Sequence, residues 1–427
     1  MNLLDRFFLW MLSDPAHPLL AGELKQLANG DVSLTYSAAW ISCGFALSAD
    51  MPLDENEYRP AAQRGRQEPC AAGAVDDARP DSWGEKVIRT LHKPRNNRLI
   101  EVLYYTGDNR FGALGVSSSS TTYKPFPGIL PTLADAPSIS AIARAIQAGD
   151  GISELQRTLA QAGGSLGGAK PKAAISVNGE PYVLKLFNGE YIDQPLVEHA
   201  ATELARQAGI DAVQTMLVPL AGENALAVKR FDRDGSKRHH CVSAATALKA
   251  EMPDVPLFGY PHLARVLRKH ASPKTMQHQL HDLFRRMVFN ILIANTDDHE
   301  KNHALVLRDG ALELAPAYDI VPTGSGAVDH QFLIGEDSRA ARLDLALGVC
   351  AQFDHTEPSA FDEIVGVIGV IDRWQDCFKQ LGVSDNDVDQ LASVIDQDDL
   401  KLQRIEFRKT VIKTPRKRRG NPFRERA

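Results

Sequence analysis

The chain has 427 residues, a formal net charge of -6 and 44 % apolar residues. This composition excludes wholesale disorder, and the charge excludes a protein that coats nucleic acid with its whole surface. The length predicts about two to three folding units. Residues 7–12 form an apolar run too short for a membrane span, without the basic region or cleavage site of a signal peptide. They read as a buried first strand or helix. The five cysteines, Cys43, Cys70, Cys241, Cys350 and Cys377, are odd in number, far apart and contain no CxxC pair. A disulfide framework or cysteine zinc site is therefore not expected, and a cytoplasmic setting is.

In chain order, residues 1–125 read as a small mixed domain. Residues 50–80, rich in Asp, Glu, Gly, Pro and Ala, read as a long polar loop. The Ser/Thr run at 117–122, followed by Pro125 and Pro127, reads as a linker, with a second domain starting near residue 135. Two β-prone runs, 173–177 and 182–187, flank Asn178-Gly179, a strong hairpin signal. A helix is predicted over about 195–207, with Gly209 just past its end, then strands over 213–218 and 225–231. After His240 the pattern turns helical. Leu280, Leu283, Phe284, Met287, Val288 and Ile291 fall on one helical face. A second hairpin, Ala304–Arg308 and Ala311–Leu314, surrounds Asp309-Gly310, and helices follow to about residue 405. Residues 408–427 carry nine basic residues and one acid, a net +8, which leaves -14 on residues 1–407. This stretch reads as a disordered tail, either merely solvated or in touch with phosphate backbones.

Three segments carry chemistry. The first, residues 163–172, has four glycines in six residues. Its amides can cradle phosphates, although a flexible linker has the same composition. It is not a Walker A motif, because Ala169 stands at the lysine position. The second is Lys185, which shares a strand face with Val183 and Phe187. A lysine buried there needs an anion, either a nucleotide phosphate or Glu198 on the following helix. Loop, strand lysine and helix glutamate, in that order, follow the protein-kinase plan, though an ordinary surface pair is the alternative. The third segment is 295–303. Asp297 and Asn302 have the D-x-x-x-x-N spacing of a kinase catalytic loop, and Ala317-Tyr318-Asp319 supplies a second acid after the hairpin. Mg²⁺ prefers hard oxygen ligands, which Asn302 and Asp319 offer. The competing reading is that these acids merely cap a turn and a helix C-terminal region, and acids are disfavoured at a helix C-terminus. His299-Glu300-Lys301-Asn302-His303 also matches H-E-x-x-H, but its polar flanks suit a loop better than a zinc-binding helix.

Taken together, these segments resemble the HipA family of bacterial toxin kinases over nearly the whole chain. The resemblance is carried by residues 22–30, Pro80-Asp81-Ser82 and Phe111 to Gly115 near the start. It continues with Ser165 to Lys172, Ala225 to Asp232, the Asn295-Thr296-Asp297-Asp298-His299 run with Asn302, and Pro316 to Asp319. It implies an α+β, distant protein-kinase-like fold, with a β-rich N-terminal part and a mostly helical C-terminal lobe. The implied divisions are an N-terminal subdomain (1–125), an N-lobe with glycine loop and hinge (135–232), a helical C-lobe (233–407) and the basic tail (408–427).

The implied activity is that of an ATP- and Mg²⁺-dependent Ser/Thr protein kinase acting as a toxin. Its substrate would be a protein such as an aminoacyl-tRNA synthetase. By position, Asp297 is the implied catalytic base, and Asn302 and Asp319 hold Mg²⁺. ATP contacts are implied for Gly167, Gly168, Ala169, Lys170, Lys172, Lys185, His299, Asn302, Tyr318 and Asp319. Lys229, Arg230 and Phe231 are expected to grip adenine through the backbone, Glu198 is the helix partner of Lys185, and Ser165 is the implied autophosphorylation site. The implied partner is a HipB-like helix-turn-helix antitoxin, which connects the protein to DNA indirectly, with the basic tail as a further contact and no membrane. A catalytically inactive partner of a DNA-binding antitoxin and a small-molecule kinase are the alternatives. Lys170, where several relatives have Gln, adds charge beside the phosphates.

Overall fold

The computed structural model describes residues 6–61, 68–94, 98–165, 170–187, 191–323 and 329–413. The first apolar run forms β1 (Arg6–Met11), the next-to-edge strand of an antiparallel sheet. With β2 (Leu19–Gln26), β3 (Val32–Tyr36), β4 (Glu57–Tyr58) and β5 (Leu114–Ser117), the order is β4-β3-β2-β1-β5. Phe7 pairs with Leu24, and Leu9 with Val116 on the other side. Four short helices accompany this sheet: α1 (Ala38–Cys43), α2 (Ala74–Asp77), α3 (Ser82–His92) and α4 (Leu99–Tyr105).

Residues 50–80 are not simply a polar loop. Met51, Ala71, Ala72, Ala74, Val75 and Ala78 are buried in the main core. Most of these side chains are small, and the helical spacing of Ala71, Ala74, Val75 and Ala78 is too short a run to stand out from the polar stretch around it. The expected linker is also anchored. Ser117 is buried in β5, its hydroxyl accepts from the Lys124 amide at 2.8 Å, and the Trp10 indole donates to the Ser119 carbonyl at 3.1 Å.

The second half begins with α5 (Ala136–Ala148) and α6 (Glu154–Ala160). A four-stranded antiparallel sheet follows, made of β6 (Lys172–Val177), β7 (Glu180–Lys185), β8 (Thr215–Leu220) and β9 (Glu223–Lys229), in the order β6-β7-β9-β8. Asn178 and Gly179 both have positive φ, 52° and 86°, as the two-residue turn between β6 and β7 requires. Between β7 and β8 lies α7 (Gln194–Gln207), whose first turn is set by Pro195 and by the Asp193 carboxylate accepting from the Leu196 amide.

The packing does not respect a break near residue 125. Trp83, Val87 and Leu91 of α3 share one apolar core with Ile139, Ile142, Ile175 and Leu184. The Trp83 indole donates to the Lys172 carbonyl at 3.0 Å. A helix of the first 125 residues thus covers a face of the second sheet.

Beyond β9 come the two-residue strands β10 (Arg233–Asp234) and β11 (Lys237–Arg238), then β12 (Cys241–Ser243). The helical lobe opens with α8 (Ala244–Glu251), α9 (Tyr260–His270) and α10 (Met276–Leu292). The central helix α10 buries Leu280, Leu283, Phe284, Met287, Val288 and Ile291 completely. The hairpin β13 (Ala304–Arg308) and β14 (Ala311–Leu314) adds to β12 in a three-stranded sheet. The chain continues through α11 (Leu343–Gly348), α12 (Glu357–Ile371), α13 (Trp374–Gln380), α14 (Asp385–Ile395) and α15 (Asp398–Lys413). Residues 408–413 are therefore helical rather than part of a disordered tail. Arg404 bonds Asp396 at 2.6 Å, and Arg408 pairs with Asp372, which holds this last helix on the lobe. Residues 414–427 lie outside the described residues. Among the described residues no helix is long and apolar enough to cross a membrane.

Two buried histidines give the fold a pH signature. His240 and His330 are 3 % and 1 % exposed, and burial pushes both down to about 4. Between pH 4 and about 6.5 the unfolded chain binds more protons than the folded one, so stability rises with pH across that window. We expect the unfolding free energy from denaturant titration to fall steeply as pH drops from 6.5 to 4, by on the order of 2–3 kcal/mol per histidine. His330→Leu should remove its share of that slope.

Candidate active site

The site forms where β7, α7 and two loops of the helical lobe meet. Glu198 lies on the inner face of α7, 3 % exposed, between Val197 and Ala200, which are fully buried. The Lys185 ammonium pairs with Glu198 and, at 2.8 Å, with Asp319. Burial opposes the Lys185 charge, but Asp319 and Glu198 outweigh it and hold the ammonium above its usual range. For Glu198 burial wins and the carboxyl is pushed up, while Lys185 holds Asp319 well below the carboxylate range. Asp319 sits at φ 60°, a left-handed conformation that Asp tolerates better than most residues. Lys172, beside this trio, makes no ion pair among the described residues. Burial, then the nearby Lys185, pull its ammonium down.

The loop after α10 begins with a tight reversal. Ala294 takes φ 56° and the Asn295 amide donates to the Asn290 carbonyl at 3.0 Å, a helix-ending bond usually accompanied by glycine. Thr323 then ties this loop to the segment after Asp319. Its hydroxyl donates to the Ala294 carbonyl at 3.0 Å and accepts from the Thr296 amide at 2.8 Å. Asp297 is exposed, and the Gln331 side-chain amide donates to its carboxylate. Asn302 ends a 3-10 turn (Glu300–Asn302) whose cap is His299, the ring accepting from the Lys301 amide at 3.2 Å. Tyr318 reaches back to this turn, its hydroxyl donating to the Lys301 carbonyl at 3.0 Å. His299 and His303 thus do not share a helix. His303 points instead at Asp298, at 3.1 Å.

Asp298 is the residue that sequence reasoning missed. It is 2 % exposed and accepts from the Tyr260 hydroxyl at 2.6 Å; the Asn290 amide donates to that same hydroxyl at 2.8 Å. Burial raises the Asp298 carboxyl, but His303 and Tyr260 more than offset this and hold it low. The Phe332 amide donates to its carbonyl, and the Gln331 amide to the Thr296 carbonyl, which fixes the 330–334 segment beside the loop. That segment also packs on Gly259. A Cβ there would lie 2.3 Å from the Leu333 Cβ and 2.4 Å from its carbonyl oxygen. Gly259→Ala should cost about 1–3 kcal/mol in denaturant unfolding and displace Gln331 from Asp297.

Of the expected nucleotide contacts, Gly167, Gly168 and Ala169 lie outside the described residues, as does the side chain of Ser165. Gly163 and Gly164 are buried, their Cα faces against Trp83, Val87 and Ile88 of α3, so these two glycines serve packing. Lys170 donates to Gln194 at 2.5 Å and lies 4.9 Å from the Phe187 ring centroid. In the expected adenine hinge, the Lys229 and Arg230 amides already donate to the Gln214 and Pro181 carbonyls. The Lys229 ammonium pairs with Glu180 at 3.4 Å. The Arg230 side chain turns away, donating to Asp232 and to the Asn109 and Arg110 carbonyls. Phe231 stacks on Tyr318, with centroids 5.6 Å apart. Both rings pack on an apolar patch of Phe187, Val213, Leu226 and Val228.

A four-stranded antiparallel sheet with one helix, a connecting hinge and a helical lobe carrying two polar loops define an α+β, distant protein-kinase-like fold. The family model for the HipA-like C-terminal domain matches residues 164–390, and that for the HipA N-terminal domain matches residues 16–117. The chain belongs to the HipA family. It is 32 % identical over 177 residues to "Putative kinase Y4dM" of Sinorhizobium fredii, covering 38 % of this chain and 41 % of that protein. It is 25 % identical over 184 residues to a "Putative kinase" of Haemophilus influenzae, covering 38 % of this chain and 53 % of the relative. The chain thus spans about half the length of these curated relatives. A chain from the solved Shewanella oneidensis MR-1 complex of the toxin–antitoxin system HipA, HipB and its operator DNA shares the fold. The TM-score is 0.62 at 16 % identity, over 94 % of this chain and 96 % of that one.

Proposed function

We propose that this protein is an ATP- and Mg²⁺-dependent Ser/Thr protein kinase acting as the toxin of a toxin–antitoxin pair. The observation that carries this reading is Lys185 held between Glu198 and Asp319, with the loop of Asp297 and Asn302 joined to the same cleft through Tyr318. A cation set of Lys172 and Lys185 suits a polyphosphate. Asp319 and the Asn302 amide oxygen are the hard donors that Mg²⁺ takes. The metal would neutralise charge on the phosphates.

The chain's own residues do the rest. Lys185, kept in place and charged by Glu198, binds the phosphates, and Asp319 with Asn302 would hold the metal. Phe231, Tyr318 and the apolar patch receive adenine. Asp297, oriented by Gln331, accepts the proton of the attacking hydroxyl. Gly167, Gly168 and Ala169 supply amides to the phosphates, and phosphate on Ser165 switches the enzyme off. A cytoplasmic setting, a protein substrate such as an aminoacyl-tRNA synthetase, and a HipB-like antitoxin linking the protein to operator DNA complete the reading.

Intact mass after incubation with ATP and Mg²⁺, beside an Asp297→Ala control, tests it. One added phosphate mapping to Ser165 and absent from the control is the expected result. Equal incorporation in both proteins would overturn the reading.

A further inference from the structure

We infer that the N-terminal domain is a working wall of the nucleotide site, and that Phe111 is its positioning residue. This rests on the kinase reading above. Phe111 lies edge-on to Phe231, with centroids 6.2 Å apart and planes at 78°, and Phe231 stacks on Tyr318. All three rings pack on one apolar cluster of Cys241, Ala304, Val306 and Ala315. The column therefore runs from the N-terminal domain, through the hinge, to the residue before Asp319. Tyr318 also bonds the turn that ends in Asn302.

Phe111 is held there by a buried polar latch. Arg110, 1 % exposed, donates to the Ala78, Leu103 and Gly107 carbonyls. Arg230 and Arg233 both donate to the Arg110 carbonyl, at 2.7 and 2.9 Å. Both also bond Asp232, which accepts from the Gly112 amide at 2.8 Å. Gly112 has φ 72°, so the backbone turns sharply just after the ring. A flexible linker between domains would not need four residues buried to fix one loop. Two further contacts point the same way. Asp81 approaches Lys301 at 3.8 Å, and Asp77 accepts from the Ser243 amide and hydroxyl and the Thr246 hydroxyl at the start of α8. The N-terminal domain thus touches the hinge, the Asn302 turn and the helical lobe at once.

Truncating Phe111 removes the edge that keeps Phe231 and Tyr318 parallel, so adenine loses a fixed floor while Asp297 and Lys185 stay in place. The test is calorimetry with Mg-ATP on the full chain, with steady-state kinetics, for wild type, Phe111→Leu, Phe111→Ala and Phe111→Tyr. Phe111→Leu, which keeps most of the volume, should bind about 3- to 10-fold more weakly, as loss of one aromatic pair predicts. KM for ATP should rise by the same factor with kcat at saturation within about twofold. Phe111→Tyr should restore the wild-type Kd. A folded Phe111→Leu with wild-type Kd and KM, against a wild type that binds, would overturn the inference and leave the kinase reading standing. A wild type that binds no Mg-ATP would overturn the kinase reading, and this inference with it.

Discussion

Asp297→Asn should lower phosphoryl transfer by about 10²- to 10⁴-fold, the range for loss of a positioned general base, while the unfolding midpoint stays close to wild type. The two halves of this expectation come from one contrast. Asp297 and Asp298 are neighbours with the same charge, yet Asp297 is exposed and held by the Gln331 side chain, while Asp298 is buried against Tyr260 and His303. Removing the exposed carboxylate deletes a proton acceptor and leaves no buried donor unpaired. Removing the buried one strands two donors, and Asp298→Ala should cost about 1.5–3 kcal/mol or more. Urea unfolding and radiophosphate incorporation, measured on both variants, separate the roles. If Asp297→Asn keeps full incorporation, the base lies elsewhere.

Lys185→Met is the second large effect, and it should act on both activity and stability. Phosphoryl transfer should fall to background, because the cleft loses the cation that meets the phosphates. Stability should fall by about 3–5 kcal/mol, the cost of leaving one partner of a buried pair behind. Glu198 is that partner, since it cannot reach water from the inner face of α7. Asp319, with a side chain 44 % exposed, adds little to this cost. The double variant Lys185→Met/Glu198→Gln should regain most of the stability and none of the activity. A double variant no more stable than Lys185→Met would show that Glu198 keeps no charge for lysine to satisfy.

Much of the local architecture could be read from residue order. The Asn178-Gly179 and Asp309-Gly310 hairpins fall where turn chemistry puts them, and the six apolar residues of α10 are fully buried. These features depend on neighbours within a few positions, so period and turn type suffice. The pairing of Lys185 with Glu198 was legible for a similar reason, since a lysine on an apolar strand face demands a nearby acid.

Other features have no local signature. Asp298 looks like Asp297 in sequence, and the tertiary structure alone separates them, because Tyr260 and Asn290 arrive from two other helices. Residues 50–80 enter the core chiefly through a run of small side chains at 71–78, one short turn of helix among polar residues. Gly163 and Gly164 resemble a phosphate loop in composition, but contact with α3 makes them packing residues. That α3 completes the core of the second sheet has no signature in the residues of either. The sequence by itself determined the elements, their turns and the types of side chain available for chemistry. Which acid is buried, which domain closes the hinge and which glycines face protein were decided by contacts between distant segments: Asp298 with Tyr260, Gly112 with Asp232, and Gly164 with Ile88. Their energy comes from desolvation and burial, quantities that exist only once distant segments have met.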